Sequence, residues 1–158
     1  MKTLAHTFHY LYCTYDELPE QDRQLIDAAM QATGGSYAPY SKFFVGVALQ
    51  LIDGTIVTGA NQENVAYPSG MCAERTALFY AGAAYPDKAV VALAIAARTS
   101  EEGFTVEPIT PCGACRQVML EAELRYHTPM RILLYGTRGI YVVEGGAGEL
   151  LPLQFDSF

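Results

Sequence analysis

Two stretches organise the chain: Cys72-Ala73-Glu74-Arg75 and Pro111-Cys112-Gly113-Ala114-Cys115-Arg116-Gln117. Helical composition follows each of them and predicts helices over 72–84 and 112–124. Positions three apart share a helix face, so the second pair of cysteines can point at one metal ion. The 40 residues from Cys72 to Cys112 leave room for one helix, one strand and a loop. Both helices are therefore expected to begin at the same edge of a sheet.

The segments around these helices predict five strands, at 43–51, 55–60, 89–97, 131–135 and 140–144. The run over 89–97 is almost continuously apolar, which is typical of a strand buried on both faces. Asp53-Gly54 predicts a hairpin turn between the first two strands. Only residues 136–139 separate the last two strands. Because a parallel crossover needs a dozen residues or more, these two strands are expected to be antiparallel neighbours.

A helical pattern over about 19–33 precedes the strands and ends at Thr33-Gly34-Gly35-Ser36. The order helix–strand–strand–helix–strand–helix–strand–strand predicts the α/β class. The expected architecture is a three-layer α/β/α sandwich around a five-stranded mixed sheet. Residues 6–15 favour a short strand or an arm, and 61–70 and 99–110 favour irregular loops.

At 158 residues the chain is expected to form a single domain over 1–158, with an N-terminal extension at 1–15 and a C-terminal tail at 150–158. The net charge is −7 and no Lys/Arg cluster occurs, which argues against a nucleic-acid partner and an anionic membrane surface. No apolar run approaches the roughly 20 residues of a membrane span. Without a signal-peptide pattern, a cytoplasmic protein with reduced cysteines is expected.

The cysteines carry the chemical prediction. A C-x-x-C pair alone is compatible with half a zinc site, a redox pair or a chance spacing. Cys72 at a second helix start, followed by Glu74, favours zinc. Three thiolates leave a tetrahedral zinc ion one open position for chemistry, whereas a closed four-ligand site is usually structural. A structural zinc module would need a fourth ligand, and Cys13 is the remaining cysteine.

The pattern Cys-x-Glu followed by Pro-Cys-x-x-Cys fits the zinc-deaminase signature. The chain resembles the cytidine deaminases in further segments, which follow in the same order and at similar spacing: 37–43, 61–64, 67–77 and 111–118. The likeness covers about residues 36–155. It leaves the N-terminal segment up to about Tyr15 unexplained.

The resemblance implies one zinc ion per subunit, held by Cys72, Cys112 and Cys115. Glu74 matches the proton shuttle of the family, and Arg75 matches an arginine that hydrogen-bonds the ligand sulfurs. The implied reaction is hydrolytic deamination of cytidine and 2′-deoxycytidine to uridine and 2′-deoxyuridine, with release of ammonia, in pyrimidine salvage.

The resemblance also implies a substrate site. Asn61 and Glu63 match the pair that binds the ribose hydroxyls, and such a pair suits a neutral diol and repels a 5′-phosphate. Phe43 matches an aromatic residue packed on the base, and Tyr67 lies in the substrate loop. Phe155 matches a C-terminal phenylalanine that reaches a neighbour's site in homotetramers, which would place the active sites near subunit interfaces. A tail aromatic that covers its own core is the other interpretation.

Some positions depart from the family pattern. The family usually has proline at the position of Phe44, isoleucine at Gln62 and serine at Thr110. Residues 145–148 replace a more helical segment of the family. Blasticidin-type aminonucleoside deamination is an alternative activity, although Asn61-x-Glu63 favours a simple nucleoside.

Five other residues are expected to take no part in catalysis or in metal binding. Arg116 is expected to pair with a carboxylate at the surface or at an interface. Cys13, His6, His9 and His127 match no motif and are expected to be structural or surface residues.

Overall fold

The structure is a computed structural model that describes residues 1–99 and 102–157. In this part of the chain, three α-helices span Glu20–Ala32 (α1), Ala73–Ala84 (α2) and Gly113–Tyr126 (α3). The strands are Leu11–Cys13 (β1), Phe43–Leu51 (β2), Ile56–Ala60 (β3), Val90–Thr99 (β4), Gly103–Phe104 (β5), Arg131–Tyr135 (β6) and Ile140–Val143 (β7). None of the described helices has the length and apolar composition needed to cross a bilayer.

The strands form one mixed sheet in the order β1-β7-β6-β4-β2-β3, with β5 beside β4. β4 and β6 are parallel and are joined through α3, whereas the other neighbouring strands are antiparallel. The prediction that the last two strands are antiparallel neighbours is confirmed, with Leu133 opposite Val142. The short connection between them allows no other pairing.

The prediction of five strands is wrong, because the described sheet has seven. The N-terminal segment contributes β1, in which Tyr12 lies opposite Tyr141 at the sheet edge. The predicted loop after β4 contributes β5, which pairs with the end of β4. Strands of three and two residues are too short to show a period and form only because a partner strand is already in place. Residues 100 and 101 of that loop and residue 158 of the predicted tail lie outside the described residues.

The sheet separates two apolar layers, because successive strand side chains point to opposite faces. On one face α1 packs through Leu25, Ile26 and Ala29 against the small side chains Ala92, Ala94 and Ala96 of β4 and their neighbours. On the other face α2 and α3 pack against the alternate strand residues, among them Val47, Leu49, Leu93, Ile95, Ile132 and Leu134. Helices on both faces confirm the three-layer α/β/α arrangement. The two cysteine-bearing helices share one face.

Candidate metal centre and adjoining pocket

Three cysteines meet where α2 and α3 begin. Cys72 is the N-cap residue of α2 and Cys112 the N-cap residue of α3, both with extended backbone, and Cys115 lies in the first turn of α3. The Sγ atoms of Cys72 and Cys112 are 3.9 Å apart, and those of Cys112 and Cys115 are 3.4 Å apart. All three sulfurs lie within 4.8 Å of one another. The sequence therefore folds so that two distant segments place three thiols around one point.

This cluster fits a zinc ion. Tetrahedral zinc with bonds of about 2.3 Å holds its sulfurs about 3.8 Å apart, close to the separations observed. Within the described residues, no further His, Cys, Asp or Glu joins the group. Cys13 is on β1 and packs against the layer on the α1 face, whereas the cluster belongs to helices on the opposite face. A structural module closed by Cys13 is therefore contradicted.

The surroundings of the cluster favour thiolate. The Arg75 guanidinium donates a hydrogen bond to Cys72 Sγ over 3.7 Å. Hydrogen bonding from the Cys115 thiol, helped by Arg75, lowers the pKa of Cys72 to about 5, and the same contact raises the pKa of Cys115. The N-terminal ends of two helix dipoles add to this preference for negative charge. Thiolates are the form in which cysteine binds metal.

Glu74 is the buried carboxyl beside the cluster. It is the second residue of α2 and is 5% exposed. Burial raises the pKa of its carboxyl, and a hydrogen bond involving the Cys115 thiol offsets part of this effect. A carboxyl with a raised pKa accepts and releases a proton nearer to neutral pH than an exposed one.

A cavity of about 670 Å³ opens onto the cluster. Its lining includes Cys72, Cys112, Glu74 and Arg75. Its volume is in the range of small-molecule sites. Four residues predicted to bind substrate also line it: Phe43, Asn61, Glu63 and Tyr67.

Backbone hydrogen bonds between three segments place Asn61 and Glu63 in this wall. Tyr37 bonds to both residues, with its N–H donating to Asn61 O and its C=O accepting from Glu63 N. On the other side, Gln62 and Met71 exchange two hydrogen bonds of 2.9 and 2.8 Å. The segment that begins at Asn61 is thus fixed immediately beside the segment that leads into Cys72.

The side chains of Asn61 and Glu63 are already oriented by backbone groups. Asn61 Oδ1 accepts from Val45 N at 2.8 Å, and its Nδ2 donates to Phe43 O at 2.9 Å. An amide retains one more hydrogen and one more lone pair for a ligand. Glu63 Oε2 accepts from the backbone N–H groups of Tyr40 and Ser41 at 2.9 and 3.2 Å.

Glu63 remains ionised in this environment, because hydrogen bonds led by the Ser41 hydroxyl lower its pKa. Tyr67 lies at the rim of the cavity, and its ring makes an edge-to-face contact with the ring of Tyr40, with centroids 6.2 Å apart. Sequence analysis predicted no role for Tyr40 or Ser41. Both residues lie in the motif at 37–43, and that motif is the signal from which their contact with Glu63 could have been predicted.

Residues 2–108 match the family model described as the cytidine and deoxycytidylate deaminase zinc-binding region. The chain belongs to this deaminase family. The matched region includes Cys72 and Glu74, and the structure adds Cys112 and Cys115 from beyond its end. The resemblance inferred from the motifs is confirmed.

The chain is also similar to individual cytidine deaminases and to their solved structures. Cytidine deaminase of Sporosarcina psychrophila is 49% identical over 132 residues, which span 84% of this chain and 89% of the relative. Cytidine deaminase of Halalkalibacterium halodurans is 52% identical over 103 residues, 63% of this chain and 71% of the relative. The crystal structure of cytidine deaminase from Burkholderia pseudomallei superimposes with a TM-score of 0.69 at 43% identity, covering 84% of this chain and 97% of that chain.

The structure also places Phe155 and Arg116. Phe155 is 62% exposed and is not among the residues that line the cavity of its own subunit. Arg116 was expected to pair with a carboxylate, and this is wrong: it donates to the backbone carbonyls of Pro111 and Leu150, each at 2.9 Å. A long side chain can reach many partners, and its spacing in the sequence does not select one.

Proposed function

We propose that the chain is a cytidine deaminase that hydrolyses cytidine and 2′-deoxycytidine to uridine and 2′-deoxyuridine and releases ammonia. One observation supports this above all: three sulfurs lie within 4.8 Å of one another, and two of these cysteines line a cavity of about 670 Å³ together with the buried carboxyl of Glu74. A neutral amide and an ionised carboxylate in the cavity wall suit the hydroxyl groups of a sugar.

Cys72, Cys112 and Cys115 would hold the zinc ion, and Arg75 steadies the thiolate of Cys72. Bound zinc supplies a water that is a good nucleophile near neutral pH. The Glu74 carboxylate takes a proton from the attacking water and donates it to N3 of the base. It then takes the second proton, from the hydroxyl group now on C4, and delivers it to the amino group, so that the C4–N bond breaks, ammonia leaves and the C4 carbonyl forms. Its burial excludes bulk water and lets it hold that proton between the two transfers.

The remaining cavity residues orient the nucleoside. Asn61 and Glu63 bind the ribose hydroxyls, and the charge of Glu63 disfavours nucleotides with a 5′-phosphate. The ring of Phe43, the first residue of β2, packs on the base. Tyr67 covers the rim of the cavity.

We also propose that residues 1–158 act as one domain and that four copies assemble into a homotetramer, with active sites near the interfaces. The exposure of Phe155 outside its own cavity supports a contact with a neighbouring subunit. The cysteines are unpaired, which fits the reducing cytoplasm, where pyrimidine salvage takes place.

The Glu74→Gln variant tests the mechanism. An amide of the same shape cannot move the protons, so turnover of cytidine is expected to fall by ~10²–10⁴-fold or more while bound zinc stays at one per subunit. Absorbance loss with cytidine measures turnover, and metal analysis measures zinc. Glu121→Gln, the same change on the exposed surface of α3, is the control and is expected to behave as wild type.

Full turnover by Glu74→Gln would contradict the assignment of the proton shuttle. A wild-type protein that carries zinc and deaminates blasticidin S but not cytidine would contradict the proposed substrate.

A further inference from the structure

The first turn of α3 contacts the C-terminal tail as well as the metal centre. Arg116, next to Cys115, donates from Nε to Pro111 O and from Nη1 to Leu150 O, each at 2.9 Å. A cation near a helix N-terminus opposes the helix dipole, so helix stability does not account for an arginine here. Its planar fork reaches two carbonyls from distant segments at once, which a lysine ammonium cannot do with the same geometry.

Two more side chains of α3 bond to the chain after β7, and one of them reaches the tail itself. Gln117 Nε2 donates to Phe155 O at 2.8 Å. Farther along the helix, Glu123 Oε1 accepts from Ala147 N at 2.8 Å and also from Met130 N. One helix therefore anchors the chain after β7 at three successive points.

The anchors from Arg116 and Gln117 reach a tail with no regular structure of its own. Residues 151–157 belong to no helix or strand, and residues 152–157 are exposed. Without regular hydrogen bonding, a segment of this kind takes its direction from its side-chain contacts. The helix that begins at Cys112 and carries Cys115 thus also bonds to the backbone of Phe155.

We propose that Arg116 and Gln117 are positioning residues that hold the C-terminal tail against the first turn of α3 and thereby fix where the Phe155 side chain stands. The proposal rests on the proposed function, and within it Phe155 is taken to reach the active site of a neighbouring subunit. Neither residue touches the substrate. Their effect is on the affinity that Phe155 provides, and the chemical step belongs to the metal centre.

Kinetics of two conservative variants test this. Gln117→Met removes the donor at similar size, and Arg116→Lys keeps the charge and removes the fork. Each is expected to raise the KM for cytidine about 2- to 10-fold, which corresponds to the free energy of one hydrogen bond. The kcat should change less than about twofold, and the zinc content should stay unchanged. The controls Gln24→Met and Arg23→Lys make the same changes on α1 and are expected to leave both constants as in wild type.

A double variant shows whether Gln117 acts through Phe155. Phe155→Ala is expected to raise the KM, and adding Gln117→Met to it should raise the KM no further. If the effects of the two substitutions on the KM multiply in the double variant, the proposal is overturned. So would a fall in kcat or a loss of zinc at unchanged KM, because each would place the role of these residues in the metal centre.

A fluorescence measurement is independent of activity. The chain has no tryptophan, so Phe155→Trp introduces a single reporter on the tail. Adding Gln117→Met or Arg116→Lys to it should lower the fluorescence anisotropy, and unchanged anisotropy would overturn the anchoring. If the wild-type protein deaminated no nucleoside, the proposed function would fail while this measurement still decided the anchors.

Discussion

Glu63 makes structural hydrogen bonds, and the proposed function also gives its carboxylate a ligand-binding role. Its Oε2 accepts hydrogen bonds from the backbone N–H groups of Tyr40 and Ser41, so the orientation of the side chain is set before any ligand binds. Hydrogen bonding, first from the Ser41 hydroxyl, lowers its pKa, and the group remains ionised at neutral pH. A fixed, ionised acceptor is suited to a sugar hydroxyl donor, because hydrogen bonds to charged groups are stronger than neutral ones.

Replacing this charge should affect ribose binding selectively. In Glu63→Gln, the KM for cytidine is expected to rise roughly 10- to 100-fold, the worth of a hydrogen bond to a charged group. Inhibition by uridine should weaken similarly, whereas inhibition by uracil, which lacks the sugar, should stay as in wild type. Equal weakening of uridine and uracil would remove Glu63 from the ribose site.

At the scale of elements, two glycines let the helices approach the sheet closely. A Cβ on Gly46 of β2 would stand 2.1 Å from Ala29 O in α1. A Cβ on Gly59 of β3 would stand 2.7 Å from Ala77 N in α2. Both contacts are with backbone, which cannot rotate away. The two positions differ in one respect: α2 carries part of the metal centre and α1 does not.

The variants Gly46→Ala and Gly59→Ala should therefore separate stability from metal binding. Each is expected to lower the free energy of unfolding by about 1–3 kcal/mol, as overpacking does. Only Gly59→Ala should also speed zinc loss to a chelator, because it displaces the helix that starts at Cys72. Gly34→Ala, where a Cβ would meet no atom within 4 Å, is the control. Equal zinc loss from both variants would show that the centre responds to global stability instead.

The elements that the sequence predicted well are those with a repeating pattern. The strand predicted over 43–51 is β2 as observed, and the helix predicted over 72–84 is α2 with Cys72 as its N-cap. β5 was missed and β1 was expected only as a short strand or an arm within residues 6–15, because so few residues form these strands that only the partner strand determines the pairing. The cysteine cluster was predictable because ligand chemistry restricts residue type and spacing. The partners of Arg116 were not, because backbone carbonyls leave no mark in the sequence.

At the scale of the whole molecule, the described cavity joins segments that lie far apart in the chain. Cysteines at the starts of α2 and α3 line one part of it, and the segments around Asn61 and Tyr40 line another. Phe155 is held by α3 outside this wall. The proposed homotetramer places Phe155 at the active site of another copy, and activity is then expected to depend on assembly.

Mixing two defective subunits tests this dependence. Glu74→Gln lacks the proton shuttle and keeps Phe155, while Phe155→Ala keeps the shuttle. In co-expressed assemblies of about four 17.2 kDa chains, about a quarter of the sites should combine both intact residues. At low cytidine concentration, the mixture should exceed the average of its two parents. A mixture of Glu74→Gln with the Glu74→Gln, Phe155→Ala double variant is the inactive control. Activity equal to the parental average would mean that Phe155 acts within its own subunit.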